Sequence, residues 1–129
     1  MIKDNLRILL VEDHPFQLMA TQCLLESYGF TQLTTTDSAE GALHQMLTSV
    51  QPFDILLCDQ CLPDLCGLEL VKFASHRGMI KQAILLSSLT SAELDRLENT
   101  ANINGLPLLG YLSKPLKQSE FRKLLTLIR

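Results

Sequence analysis

FDILLCDQCLPDLCG, residues 53–67, decides the fold: an apolar run stops at Asp59 and gives way to a loop containing Pro63 and Gly67. Phe53, Ile55, Leu56, Leu57 and Cys58 make a run shorter than a typical helix and rich in residues that suit strands, so it reads as a buried parallel strand. Asp59 then stands at that strand's carboxyl end. Open α/β sheets hold their ligands there, which makes Asp59 a site candidate by position, although a lone strand-end Asp more often only caps a loop.

Outward from this stretch the design repeats. Arg7 to Val11 is a second short apolar strand, and it too ends in acids, Glu12 and Asp13. After His14-Pro15, apolar residues Phe16, Leu18, Met19, Cys23, Leu24 and Leu25 recur at helical spacing, and Tyr28-Gly29 closes the helix. Thr31 to Thr35 is β-branched and reads as a strand. Asp37-Ser38-Ala39-Glu40 offers a capping box for a helix carrying Ala39, Ala42, Leu43, Met46 and Leu47. Beyond Gly67, the residues Leu68, Leu70, Val71, Phe73 and Ala74 give a third helix, ended near His76-Arg77-Gly78. Ala83 to Leu86 is a strand running into Ser87-Ser88. A sparse helix pattern from Ser91 to Ala101 follows, and its breaker-rich end marks it as the most mobile helix. Leu108 to Leu112 is the fifth strand, leading to Ser113-Lys114-Pro115, and Ser119 caps a last helix with Phe121, Leu124, Leu125 and Ile128 inward.

Five strands alternating with five helices demand right-handed crossovers and a parallel sheet covered on both faces. The expected fold is therefore α/β and doubly wound, flavodoxin-like, with strand order 2-1-3-4-5. The 129 residues fit a single domain, 1–129. A net charge of -3 gives no basic field for steering nucleic acid, so no direct nucleic-acid binding is expected. No apolar run approaches the roughly 18 residues of a membrane span and the amino end is unlike a signal peptide, so the expectation is a cytoplasmic protein with no membrane contact. Three of the four cysteines, Cys58, Cys61 and Cys66, fall in or just after a buried strand. Neither a disulfide framework nor a zinc or thioredoxin-like site suits that placement, and the thiols read as reduced.

At the strand ends the expected sheet collects Glu12 and Asp13, Asp59, Ser87 and Lys114. Three carboxylates converging on one crevice repel unless one is protonated or a cation joins them, and a hard divalent cation such as Mg²⁺ suits all-oxygen ligands while leaving positions for phosphate oxygens. That points to phosphoryl chemistry. An Asp carboxylate can accept a phosphoryl group, and Mg²⁺, Lys114 and Ser87 supply the positive charge and donors its oxygens need.

Taken together, VEDHP, CDQCLPDLCG, LLSS and GYLSKP, in this order and spacing, resemble the receiver domain of bacterial two-component response regulators over the whole chain. The resemblance implies that Asp59 is the phosphoacceptor, taking the group from a sensor histidine kinase. It implies that Glu12, Asp13, Asp59 and the backbone carbonyl of Cys61 hold Mg²⁺, and that Ser87 and Lys114 contact the phosphoryl group. Ser87 is chosen over its neighbour Ser88 by the family's pattern. Ser87 and Tyr111 are the implied switch residues, and His14 is expected to lie beside the site without taking part. The expected responding surface combines the fourth helix, the fifth strand and the last helix, and controls an output domain or effector; a phosphorylation-dependent dimer stays open. The resemblance implies a switch and not a turnover enzyme. VEDHPFQ and ILLSS are also similar to receivers that precede EAL-type cyclic-di-GMP phosphodiesterase domains. Cys61 two after the acceptor, Ser87 for the commoner Thr and Ser88 for a small Ala depart from the family's pattern and bear on rates. The alternatives are a haloacid-dehalogenase-like phosphatase, whose two Asp are spaced by one residue where Glu12 and Asp13 adjoin, and a docking module of this fold that works without phosphorylation.

Overall fold

Each apolar run pairs in parallel with its neighbours because a helix carries the chain back to the same end of the sheet. The computed structural model describes residues 5–87 and 105–128. Its strands are β1 (Ile8–Val11), β2 (Leu33–Thr36), β3 (Phe53–Asp59), β4 (Ile80–Ser87) and β5 (Leu108–Ser113), and its described helices are α1 (Pro15–Ser27), α2 (Ala39–Thr48), α3 (Gly67–His76) and α4 (Gln118–Leu125). The sheet order is β2-β1-β3-β4-β5, with every pairing parallel. The helix expected from Ser91 to Ala101 and the residue Ser88 lie outside the described residues. Among the described residues, no helix is long and apolar enough to cross a membrane.

Period-two alternation sends successive strand residues to opposite faces, and two cores result. Leu9, Val11, Leu56, Cys58, Ala83 and Leu85 pack under Ala42 and Met46 of α2 and Leu70, Val71 and Ala74 of α3. Ile8, Leu10, Ile55, Leu57, Ile84, Leu86 and Leu112 pack under Leu25 of α1 and Phe121 and Leu125 of α4. Phe30 and Phe121 meet edge to face at 5.2 Å between ring centroids, a favoured aromatic geometry.

Local departures from expectation have local causes. The strand expected over 83–86 begins at Ile80, whose apolar side chain pairs with Phe53. The first helix carries two apolar stripes, and only one can face the sheet. Leu18, Thr21 and Leu25 take that place, leaving Phe16 and Met19 exposed at 78% and 61% and Cys23 exposed as well. Ser38 caps α2 by accepting from the Gly41 N–H at 2.9 Å. The returning arm of a capping box is missing, because Gly stands where Glu or Gln is needed. Asp64 fills in, its carboxylate accepting from the N–H groups of Ala39 at 3.1 Å and Glu40 at 3.0 Å. Ser119 does not cap the last helix; Lys117 stands at that position with no side-chain hydrogen bond, since buried Leu116 anchors the chain just before it. Gly29 (φ 101°) and Gly78 (φ 67°) close α1 and α3 in the left-handed region that other residues avoid.

Candidate functional site

Register brings the acids together. Val11 pairs with Cys58, so Glu12 and Asp59 are the next residues along adjacent strands. Both lie on the face of alternating residues that packs α1 and α4. Asp59 pairs with Leu86 and Leu86 with Leu112, and Lys114, two residues beyond Leu112, returns to that same face. The outcome is one crevice: Lys114 Nζ donates to Glu12 Oε1 at 3.0 Å and to Asp59 Oδ2 at 3.2 Å. Asp13 is exposed at its edge, and one carboxylate oxygen from each of Glu12, Asp13 and Asp59 lies within 4.8 Å of the others.

The backbone orients these groups further. The Cys61 N–H donates to Asp59 Oδ1 at 3.3 Å, and the His14 N–H donates to Glu12 Oε2 at 3.1 Å. Gly67 lets the loop turn back tightly: its N–H donates to the Gln60 carbonyl at 2.8 Å, and a Cβ there would stand 2.4 Å from the Asp59 carbonyl oxygen. Only Gly fits that approach.

Burial pushes the Glu12 carboxyl above its ordinary value, against the Lys114 and His14 hydrogen bonds that pull it down. Burial pulls Lys114 down, but the hydrogen bond it donates to Glu12 and the charges of Asp59 and Glu12 outweigh it and hold the ammonium above its usual range. Both partners of one ion pair are thus raised, because Glu12 is 1% exposed whereas the Lys114 side chain keeps 20% of its surface. Three carboxylates facing a single ammonium leave a double negative charge. An all-oxygen, doubly negative donor set fits a small hard dication; Mg²⁺ would be held by Glu12, Asp13 and Asp59.

Comparison with known proteins identifies the family. Residues 8–126 match the profile of the response regulator receiver domain. The chain belongs to that family, the phosphoacceptor module of two-component signalling. Among its relatives, the cyclic di-GMP phosphodiesterase RocR of Pseudomonas aeruginosa is 32% identical over 95% of this chain. The TorCAD operon transcriptional regulatory protein TorR of Escherichia coli O157:H7 is 36% identical over 88%. This chain spans 31% of the first protein's length and 45% of the second's. A CheY-like receiver domain from Methylobacillus flagellatus superposes with a TM-score of 0.71 at 28% identity, covering 95% of this chain and 97% of that one. The Francisella response regulator 1452 receiver domain shares the fold, with a TM-score of 0.75 at 20% identity and 95% of each chain covered.

Within this receiver the expected site residues fall as follows. Glu12, Asp13, Asp59 and Lys114 share the crevice. Cys61 lies in the loop beside it and is exposed. Ser87 is buried at the carboxyl end of β4, one residue past the partner of Asp59 and paired with Ser113. Tyr111 is half-buried against the core on the α2–α3 face. His14 contributes its N–H to Glu12, and its side chain is exposed. Cys58 is no ligand: its buried thiol, pushed well up by burial and then by the Asp59 charge, donates to the Asp59 carbonyl at 3.2 Å.

Sequence reasoning missed Gln17 and Asp64. Gln17 Oε1 accepts from Lys114 Nζ at 2.7 Å, completing the ammonium's set of three acceptors. Its one signal was its place in the first turn of the helix that follows the Glu12-Asp13 strand end.

Proposed function

We propose that Asp59 is the phosphoacceptor of this receiver and that the Glu12–Lys114–Asp59 crevice is built to create and hold an aspartyl phosphate. The observation that carries this reading is Lys114 Nζ bridging Glu12 and Asp59, because the same ammonium that neutralises the carboxylates is within reach of a group added to Asp59. An Asp59 carboxylate oxygen attacks the phosphorus of a phosphohistidine on a sensor histidine kinase. The new O–P bond forms as the P–N bond breaks, and the histidine nitrogen leaves with the electron pair. The Cys61 N–H, bonded to Oδ1, orients the carboxylate, and Lys114 Nζ and the Ser87 hydroxyl donate to phosphoryl oxygens. Glu12, Asp13, Asp59 and the Cys61 carbonyl would hold Mg²⁺, which when bound would supply positive charge beside those oxygens.

Ser87 and Tyr111 then bias the receiver between two surface states, read on the side of β5 and α4. Residues 1–129 act as one domain, a cytoplasmic switch without catalytic turnover of its own. The relationship to RocR supports an EAL-type phosphodiesterase, or a partner carrying one, as the output.

Intact-mass measurement after acetyl phosphate and Mg²⁺ tests the assignment. The parent is expected to gain one phosphoryl group and Asp59→Asn none; an unchanged adduct on Asp59→Asn overturns it. Sustained phosphate release from many phosphomonoesters supports a phosphatase instead.

A further inference from the structure

We propose that Cys61 and Cys66 form a reversible disulfide that staples the loop following Asp59 when the protein meets a peroxide. These two residues are partners in an isolated antiparallel bridge within the loop. The Gly67 N–H to Gln60 carbonyl hydrogen bond of 2.8 Å flanks that bridge, so Cys61 and Cys66 are directly opposed without bonding each other's backbone. Such pairs have Cα atoms about 4.5 Å apart and side chains on one side, inside the roughly 4.4–6.8 Å span of protein disulfides. Both are free thiols and both are exposed, so an oxidant reaches either.

The loop needs no large rearrangement to close. Gly67 is packed against the Asp59 carbonyl, Leu62 is buried, and Gln60 Nε2 donates to Cys66 Sγ at 3.2 Å, fixing that sulfur's place. The other cysteines do not compete. Cys58 is fully buried within β3, where thiols are inert, and Cys23 lies on α1, which packs on the opposite face of the sheet from α2 and α3.

The chemistry is a two-electron oxidation. One thiol sulfur attacks hydrogen peroxide; an S–O bond forms, the O–O bond breaks, and water leaves behind a sulfenic acid. The second sulfur attacks the first; the S–S bond forms, the S–O bond breaks, and the hydroxyl leaves as a second water with the remaining thiol proton. Both sulfurs are oxidised and peroxide is reduced. A dithiol reverses the step by exchange. The ring so closed contains Cys61 and sits directly after Asp59, so oxidation couples redox state to phosphoryl acceptance. That consequence rests on the phosphoacceptor reading, whereas the disulfide itself does not.

The test treats the full chain with hydrogen peroxide, blocks remaining thiols by alkylation, and cleaves on the amino side of Asp. Cuts before Asp59 and Asp64 place Cys58, Cys61 and Cys66 on three different peptides. The expected result is a protein lighter by two hydrogens whose Asp59 and Asp64 peptides stay joined until dithiothreitol is added. The link is absent in both Cys61→Ser and Cys66→Ser. Separate peptides, a link through Cys23 or Cys58, or a disulfide between two chains overturns the proposal. Acetyl phosphate labelling is expected to differ about threefold or more between oxidised and reduced parent, and not in Cys66→Ser. Equal rates remove the coupling while leaving the disulfide in place. Failure of the reduced parent to label refutes the acceptor reading, and the joined peptides still report on the disulfide.

Discussion

Replacing Gly67 with Ala sets two effects of opposite sign against each other. Gly67 opens α3, and an Ala in a helix is worth about 0.5–1 kcal/mol over Gly. Against this, the new Cβ would lie 2.4 Å from the Asp59 carbonyl oxygen and 3.0 Å from the Gln60 Cα, roughly an ångström inside ordinary contact. Backbone atoms cannot rotate away as a side chain can, so either α3 or the end of β3 must shift, at about 1–3 kcal/mol for overpacking. The clash wins, and a net loss of about 1–2 kcal/mol is expected, or about 4–8 °C in Tm for a domain of this size. Gly110→Ala is the control: its Cβ would approach only the Leu124 side chain among its nearest neighbours, at 2.9 Å from Cδ2, and Leu124 can move. Urea denaturation of both variants decides the matter, with acetyl phosphate labelling showing whether the shift reaches Asp59. Gly67→Ala as stable as the parent, or less damaging than Gly110→Ala, refutes the reasoning.

Lys114→Met, in Mg²⁺-free buffer, strands Glu12 at 1% exposure without its counter-charge and is expected to cost about 1–3 kcal/mol at pH 7. Its carboxyl is then driven further above the unfolded value, so the folded state holds a proton that the unfolded state releases. The variant's stability therefore rises as pH falls from 7 towards about 4.3, and denaturation at pH 7 and pH 5 checks the sign. Asp64→Ala is expected to cost about 0.5–1 kcal/mol through the lost helix-end bonds. The N–H groups of Glu40 and Ala39 hold the Asp64 carboxyl below its ordinary value, so its contribution is present above roughly pH 4 and disappears as pH falls through the lowered value. Acid titration of the two proteins should show their difference in Tm shrinking below that point. Mg²⁺ at about 100 times its Kd is expected to stabilise the parent by about 2.7 kcal/mol, and Asp13→Asn, altering an exposed residue, is expected to blunt that gain with little change in metal-free stability.

Strand identity and the three acids at the strand ends were legible in the sequence because each depends on a short-range pattern: an apolar run, then a polar group at its end. Sheet order came instead from the alternation of strands and helices taken with a flavodoxin-like winding. Helix faces were less so. Phe16 and Met19 are as apolar as Leu18 and Leu25, and only docking on the sheet selects the stripe that includes Thr21. Caps showed the same limit. Ser38 was readable from its neighbours, but Asp64 reaches α2 from 25 positions away, and no local signal encodes that distance. Gln17 was missed for the same reason, since its partner Lys114 is 97 positions on. Reading a cap at Ser119 failed because propensity cannot sense that buried Leu116 sets where the chain turns.

The Asp64 contact also gives this receiver a natural probe. The chain has no Trp, so no indole fluorescence is at hand to follow events beside Asp59. The amides of Ala39 and Glu40, bonded to a loop residue five positions after the acceptor, are spectroscopic sentinels in its place. Any rearrangement that pulls the loop outward uncovers those two protons, and their exchange with deuterium quickens while the interior of α2 stays protected.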